Sequence, residues 1–183
     1  MNEALWVLGR GTGTAALLLL TITAAIGVLT AGRFVSRDTP RFAVAELHKR
    51  AALAAAGLLV VHLASLLFDS EAQLRWVDLV LPFLNARNPL FWGLGTLAVD
   101  LIAVVTFTSL ARKRIPHRWW RGIHWMSCAL WPMAWLHSLG SGTDASTWWL
   151  RTVSVLTLSA VVAAVTYRLR GPAPAVRHHV TAA

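Results

Sequence analysis

Three features of the sequence predict an all-α integral membrane protein of about five transmembrane helices in one bundle. Hydrophobic residues make up 56% of the 183, with a mean hydropathy of +0.57. That is more apolar side chain than one small water-soluble core can bury. Charged residues are only 14% and fall in clusters between apolar runs of about 20 residues, the length that crosses a bilayer as a helix. Finally, the basic residues are distributed unevenly between alternate clusters, as in membrane loops.

The predicted spans are residues 14–32, 43–68, 90–111, 119–139 and 147–167, within a domain of residues 1–170. Arg33, Arg37 and Arg41 follow the first span, which argues against a cleaved secretory signal, as does Glu3 in front of it; both features are the reverse of a signal peptide's charge pattern. The apolar stretch from Trp76 to Leu84 is too short to span and is expected to lie at the interface as a short helix. The Gly9-Arg-Gly11-Thr-Gly13 run lacks the preceding strand that would make it a nucleotide loop. Its glycines are expected to let the chain bend before it enters the membrane. Residues 171–183 are Pro- and Ala-rich and read as a disordered cytoplasmic tail.

Charge sets the orientation. With the N-terminus outside, thirteen of the seventeen Lys and Arg fall in cytoplasmic segments, and only Arg10, Arg75, Arg87 and Arg151 fall outside. The positive-inside rule therefore places the chain in the cell membrane, N-terminus out and C-terminus in the cytoplasm. The net charge of +9 is accounted for by this bias and is no footprint for nucleic acid. The single cysteine, Cys128, excludes an internal disulfide and a cysteine-rich metal site. Trp6, Trp76, Trp92, Trp148 and Trp149 fit an outer interfacial belt, and Trp119 and Trp120 an inner one.

The histidines carry the chemistry. His117, His178 and His179 fall in polar segments and read as solvated. His48 and His62 lie in the second span, and His124 and His137 in the fourth. Ionisable side chains inside a membrane are costly and turn toward the bundle interior. The second-span pair is 14 residues apart, about 21 Å of rise and about 40° of azimuth. The fourth-span pair is 13 apart, about 19.5 Å of rise. The two spans run in parallel, so His48 is level with His124 near the cytoplasm and His62 with His137 near the outside. Two levels with two imidazoles each fit axial ligation of two b-type haems. A 13-residue step rotates the second imidazole by about 140°; either a tightened turn at Pro132 restores the phase or the two haems are rotated relative to each other. The competing reading of these histidines is structural hydrogen bonding between helices.

Haem propionates pair well with arginine. Arg41, Arg50, Arg118 and Arg121 are the candidates at the inner level, and Arg10 and Arg151 at the outer. Asp100, mid-span, is a candidate proton relay or a hydrogen-bond partner to an imidazole or to a Ser or Thr. Glu46 is expected to reach the interface. Gly57 either gives the macrocycles room or packs helices, and Trp125, Trp131 and Trp135 either wall the haems or fill space.

The contexts Arg41-Phe…Glu46-Leu-His48, Arg118-Trp-Trp-Arg121-Gly-Ile-His124-Trp and Trp135-Leu-His137-Ser-Leu-Gly140 resemble the ferric-reductase-like transmembrane domain shared by ferric reductases and NADPH oxidases, in its small stand-alone actinobacterial form. The resemblance covers about residues 8–168. It implies electron transfer across the membrane through two b haems, from a cytoplasmic flavin or flavoprotein reductase to an outer acceptor. Ferric iron, oxygen or an extracytoplasmic partner protein would suit that acceptor. The flavin and nicotinamide domain of the complete reductases is not expected here, so the chain reads as an oxidoreductase component rather than a self-sufficient enzyme. A second reading makes it the haem subunit of a two-component reductase, similar to the haem partner of bacterial methionine-sulfoxide repair. A third is a haem-free membrane scaffold or carrier.

Overall fold

The computed structural model describes residues 3–31, 40–85, 88–141, 144 and 146–170. Its long helices are α1 (Glu3–Ala31), α2 (Arg41–Phe68), α3 (Pro89–Leu110), α4 (His117–Gly140) and α5 (Trp148–Arg170). The described residues contain no strand, and the all-α membrane class is as expected. Arg33, Arg37, Arg87 and the 171–183 tail lie outside the described residues.

Four of the helices, α1, α2, α3 and α5, are long and apolar enough to cross a membrane. The chain is a multi-pass membrane protein. α4 is long enough at 24 residues, but Arg118, Arg121, His124 and His137 dilute its apolar character. It is held in the bundle by packing along α3. The Asn88 side chain donates to the Gly140 carbonyl at 2.9 Å at one end of that pair, and Trp120 Nε1 donates to Ser109 Oγ at 3.4 Å at the other. α4 therefore runs antiparallel to α3 over its whole length.

α1 and α2 form the most extensive pair, and α5 packs on α1. The buried residues of α1 and α2 are mostly small. α2 buries Ala51, Ala55 and Ser65, and α1 buries Gly9, Thr12, Ala16, Leu17 and Thr21. Without a solvent-driven hydrophobic force between helices, close backbone approach of small residues supplies the packing. α4 is tied across to α1 by Trp131 Nε1 on Thr21 Oγ1 at 2.9 Å, and to α5 by Trp135 Nε1 on the Ser154 carbonyl at 3.1 Å.

Three expectations need correction. α1 already begins at Glu3, so the 9–13 glycines are helical rather than a bend. Gly9 and Gly13 are there because α2 leaves no room for a side chain: a Cβ on Gly9 would lie 3.0 Å from Ser65 Oγ, and one on Gly13 2.9 Å from the His62 ring. Second, the interfacial segment is helical only as a 3-10 turn at Trp76–Leu79. The buried Asp78 carboxylate takes Arg75 Nη2 at 2.7 Å and Arg75 Nε at 3.1 Å, and Thr96 Oγ1 donates to the Asp78 carbonyl at 2.8 Å. That ties the turn to α3. Third, α4 stays α-helical through Pro132, with no 3-10 turn at Trp131–Met133.

Candidate functional site

All four span histidines point their Nδ1 edges into protein. On α2, His62 Nδ1 lies 2.7 Å from the Gly9 carbonyl and His48 Nδ1 3.1 Å from that of Thr23, both on α1. On α4, His137 Nδ1 lies 2.8 Å from the Phe91 carbonyl of α3 and 2.8 Å from Ser141 Oγ. A backbone carbonyl can only accept, so at these three residues Nδ1 carries the proton and donates. Nε2 is then the nitrogen with a free lone pair. His124 differs: its Nδ1 is buried without a hydrogen-bond partner.

One of the two pairs expected from spacing is brought into ring contact. His48 and His124 have ring centroids 6.1 Å apart at an interplanar angle of 65°. α2 and α4 make no extensive backbone contact, so they meet here through imidazoles. His62 and His137 are each anchored on a different neighbouring helix, α1 and α3. The 13-residue step on α4 is accommodated without a tightened turn: His137 turns to the α3 backbone, while His124 stacks on Trp120, ring centroids 5.1 Å apart.

The arginines divide. Arg50 is held by Glu46 at 2.8 Å, with its side chain 77% exposed, and Lys49 joins the same carboxylate at 3.8 Å. Glu46 thus sits in a surface ion-pair cluster, as expected of an interfacial residue. Arg118 packs along Trp119 at 6.0 Å, and Arg41 and Arg121 are exposed. Arg112, which sequence reasoning used only for orientation, lies 4.5 Å over the Trp120 ring and within electrostatic reach of His124. Trp120 is therefore more than a belt residue. At the other end Arg10 is ion-paired with the buried Asp144 and lies 3.8 Å over Trp6, while Arg151 is exposed.

No hydrogen bond joins Asp100 to any of the four imidazoles. Three take backbone carbonyls instead, an arrangement that fixes the tautomer of a ligating histidine equally well. A Cβ on Gly57 would meet nothing within 4 Å, so that glycine borders open space rather than a helix contact. Trp131 and Trp135 stack at 6.2 Å and clamp α4 to its neighbours, whereas Trp125 is exposed. No cluster of three or more His, Cys, Asp or Glu suited to a bare metal ion occurs among the described residues, and paired histidines on a macrocycle require none.

The residues fit haem on two counts: the nitrogen left free is Nε2 at three of the four imidazoles, and His48 and His124 approach each other from two different helices.

The family model for the ferric reductase like transmembrane component matches residues 12–135. The match takes in His48, His62 and His124 and stops two residues before His137. Neither the curated proteins nor the solved structures provide a match. With about two thirds of its length covered by the family model, from α1 through most of α4, the chain belongs to the ferric reductase like transmembrane component family.

Proposed function

We propose that the chain is a di-haem b-type cytochrome that passes electrons across the cell membrane. The observation that carries this reading is the His48–His124 apposition on two helices that otherwise scarcely meet. His48 and His124 hold the inner haem, and His62 and His137 the outer. Bound haem supplies one-electron redox chemistry, with a potential set by its ligands, their hydrogen bonds and burial. The chain's own residues do the positioning. Carbonyls of α1 and α3 hold three imidazoles in one tautomer and aim Nε2 inward. Trp120, with Arg112 above it, braces the ring of His124. Arg112 joins Arg41, Arg50, Arg118 and Arg121 as a candidate for the inner propionates. Asp100, midway along α3, is left with a role in proton handling.

The N-terminus lies outside and the basic 3-10 turn Arg112–Arg114 faces the cytoplasm, under the positive-inside rule. A cytoplasmic flavin or flavoprotein reductase is the donor. The acceptor is ferric iron, oxygen or an extracytoplasmic redox protein. The reading is tested by haem content: purified from haem-replete cells, the protein carries two b haems, both reducible by dithionite. Substituting His48 or His124 removes one of them, and substituting His62 or His137 removes the other.

A further inference from the structure

Three of the four imidazoles are seated by one repeated device. His62 Nδ1 lies on the Gly9 carbonyl at 2.7 Å, and the residue four positions on is Gly13, where a Cβ would lie 2.9 Å from the ring. His48 Nδ1 lies on the Thr23 carbonyl at 3.1 Å, and four positions on is Gly27, with a Cβ distance of 3.4 Å. His137 Nδ1 lies on the Phe91 carbonyl at 2.8 Å, and four positions on is Gly95, with a Cβ distance of 2.5 Å to Nδ1 itself.

The physical reason lies in helix geometry. A carbonyl at residue n points along the axis toward the N–H of n+4, so the side chain at n+4 stands beside the oxygen's second lone pair. At Gly13 and Gly95 only a glycine leaves space for an imidazole to approach from a neighbouring helix, whereas at Gly27 a Cβ would just touch the His48 ring and only a larger side chain would intrude. The two seats on α1 repeat at 14 residues, the same step as His48 and His62 on the antiparallel α2. His124 has no such seat: its Nδ1 is unpartnered and it rests on Trp120.

We infer that Gly13, Gly27 and Gly95 are positioning residues for the haem-ligating histidines, each opening one backbone carbonyl to one Nδ1–H. The inference rests on the proposed bis-histidine haem sites. Each glycine acts on one level only: Gly13 and Gly95 on the outer haem, Gly27 on the inner. Carbonyl hydrogen bonds set the orientation and basicity of a ligating imidazole, so losing a seat alters the bound haem's spectrum and potential, not only the fold's stability.

The test uses full-length protein from haem-replete cells, read by haem per chain, by the low-temperature EPR signals of the two ferric haems and by their midpoint potentials. Gly13→Ala and Gly95→Ala each shift or abolish the signal of one and the same haem. Gly27→Val changes the other, and Gly27→Ala, whose Cβ only touches the His48 ring, leaves it in place. Gly11→Ala is the control, since a Cβ there meets nothing within 4 Å; it leaves both haem signals in place. Should Gly13→Ala and Gly95→Ala not yield folded protein, Ser141→Ala decides at the outer level, because it removes a polar contact to His137 Nδ1 without adding volume. It shifts the outer haem's potential alone. Two haems with unaltered EPR and potentials in Gly13→Ala and Gly95→Ala, or in Gly27→Val and Ser141→Ala, would overturn the inference while leaving the haem reading intact. A haem-free wild type would overturn the haem reading itself.

Discussion

The imidazoles of His48 and His124, seventy-six positions apart in sequence, lie with ring centroids 6.1 Å apart at 65°. α2 and α4 have no extensive backbone contact, and each is held from behind by a different partner, α1 for α2 and α3 for α4. Two helix pairs thus present histidines to each other. Removing either ring should have one consequence: His48→Ala and His124→Ala lose the same haem, about half the b-type absorbance, and the double variant loses no more. Loss of different haems would show the pairing to be wrong.

Trp120 supports His124 from the side, with Arg112 stacked above it at 4.5 Å. A guanidinium over an indole contributes about 0.5–1 kcal/mol where partly exposed, and the indole–imidazole stack adds to it. Trp120→Ala should therefore shift the inner haem's EPR signal and potential while leaving the outer haem unchanged. Its neighbour Trp119 is 62% exposed, and Trp119→Ala should alter neither. Equal effects of the two substitutions would make Trp120 an ordinary interfacial residue.

Much of this was legible beforehand, and the parts that were not share a cause. The cores of α2 and α3 follow from apolar runs bounded by Asp69, Pro89 and Arg112 and broken by charge only at Asp100, and that of α5 from the uncharged run between Arg151 and Arg168. The four histidines follow from their cost inside a membrane. The helical course of residues 9–13 was not legible because Gly9, Gly11 and Gly13 look like loop residues locally. Gly9 and Gly13 are needed against residues more than fifty positions away, Ser65 and His62. Trp120 and Arg112 were invisible for a similar reason. A belt tryptophan and a topogenic arginine have the same residue types as a ligand's support, and only the fold brings them to His124. Pro132 misled in the opposite direction: a tightened turn was expected where the helix continues.

The Arg10–Asp144 pair joins α1 to the chain ahead of α5, with side chains 28% and 12% exposed. A charge-assisted bond this well covered is worth about 2 kcal/mol. Arg10→Ala and Asp144→Asn should each lower the melting temperature in detergent, and the double variant should fall no further than the worse single one. Additive losses would indicate that the two residues act separately.

Asp78 gives the extramembrane turn a pH dependence. The Arg75 guanidinium hydrogen-bonded to it holds its carboxyl below the usual carboxylate range. A depressed folded value means the stabilisation is complete above the unfolded value of about 4 and is lost as pH falls through the folded one. Wild type should therefore exceed Asp78→Asn by several degrees in melting temperature at pH 6. The gap should close progressively below pH 4. A gap independent of pH would remove the ion pair as its cause.

Orientation is open to chemical labelling. In a Cys128→Ser background, Glu71→Cys on the loop after α2 should react with a membrane-impermeant maleimide added to intact cells. Lys113→Cys, in the basic turn between α3 and α4, should react only after lysis. The opposite pattern would invert the topology, and with it the direction assigned to electron flow.

The central claim is that four histidines in two levels hold two haems, and haem stoichiometry tests it most directly. A pyridine haemochrome assay on purified protein from haem-replete cells, with a dithionite-reduced minus oxidised spectrum, should give two b haems per chain. A colourless protein, or one haem unaffected by substituting either member of one of the two histidine pairs, would contradict it.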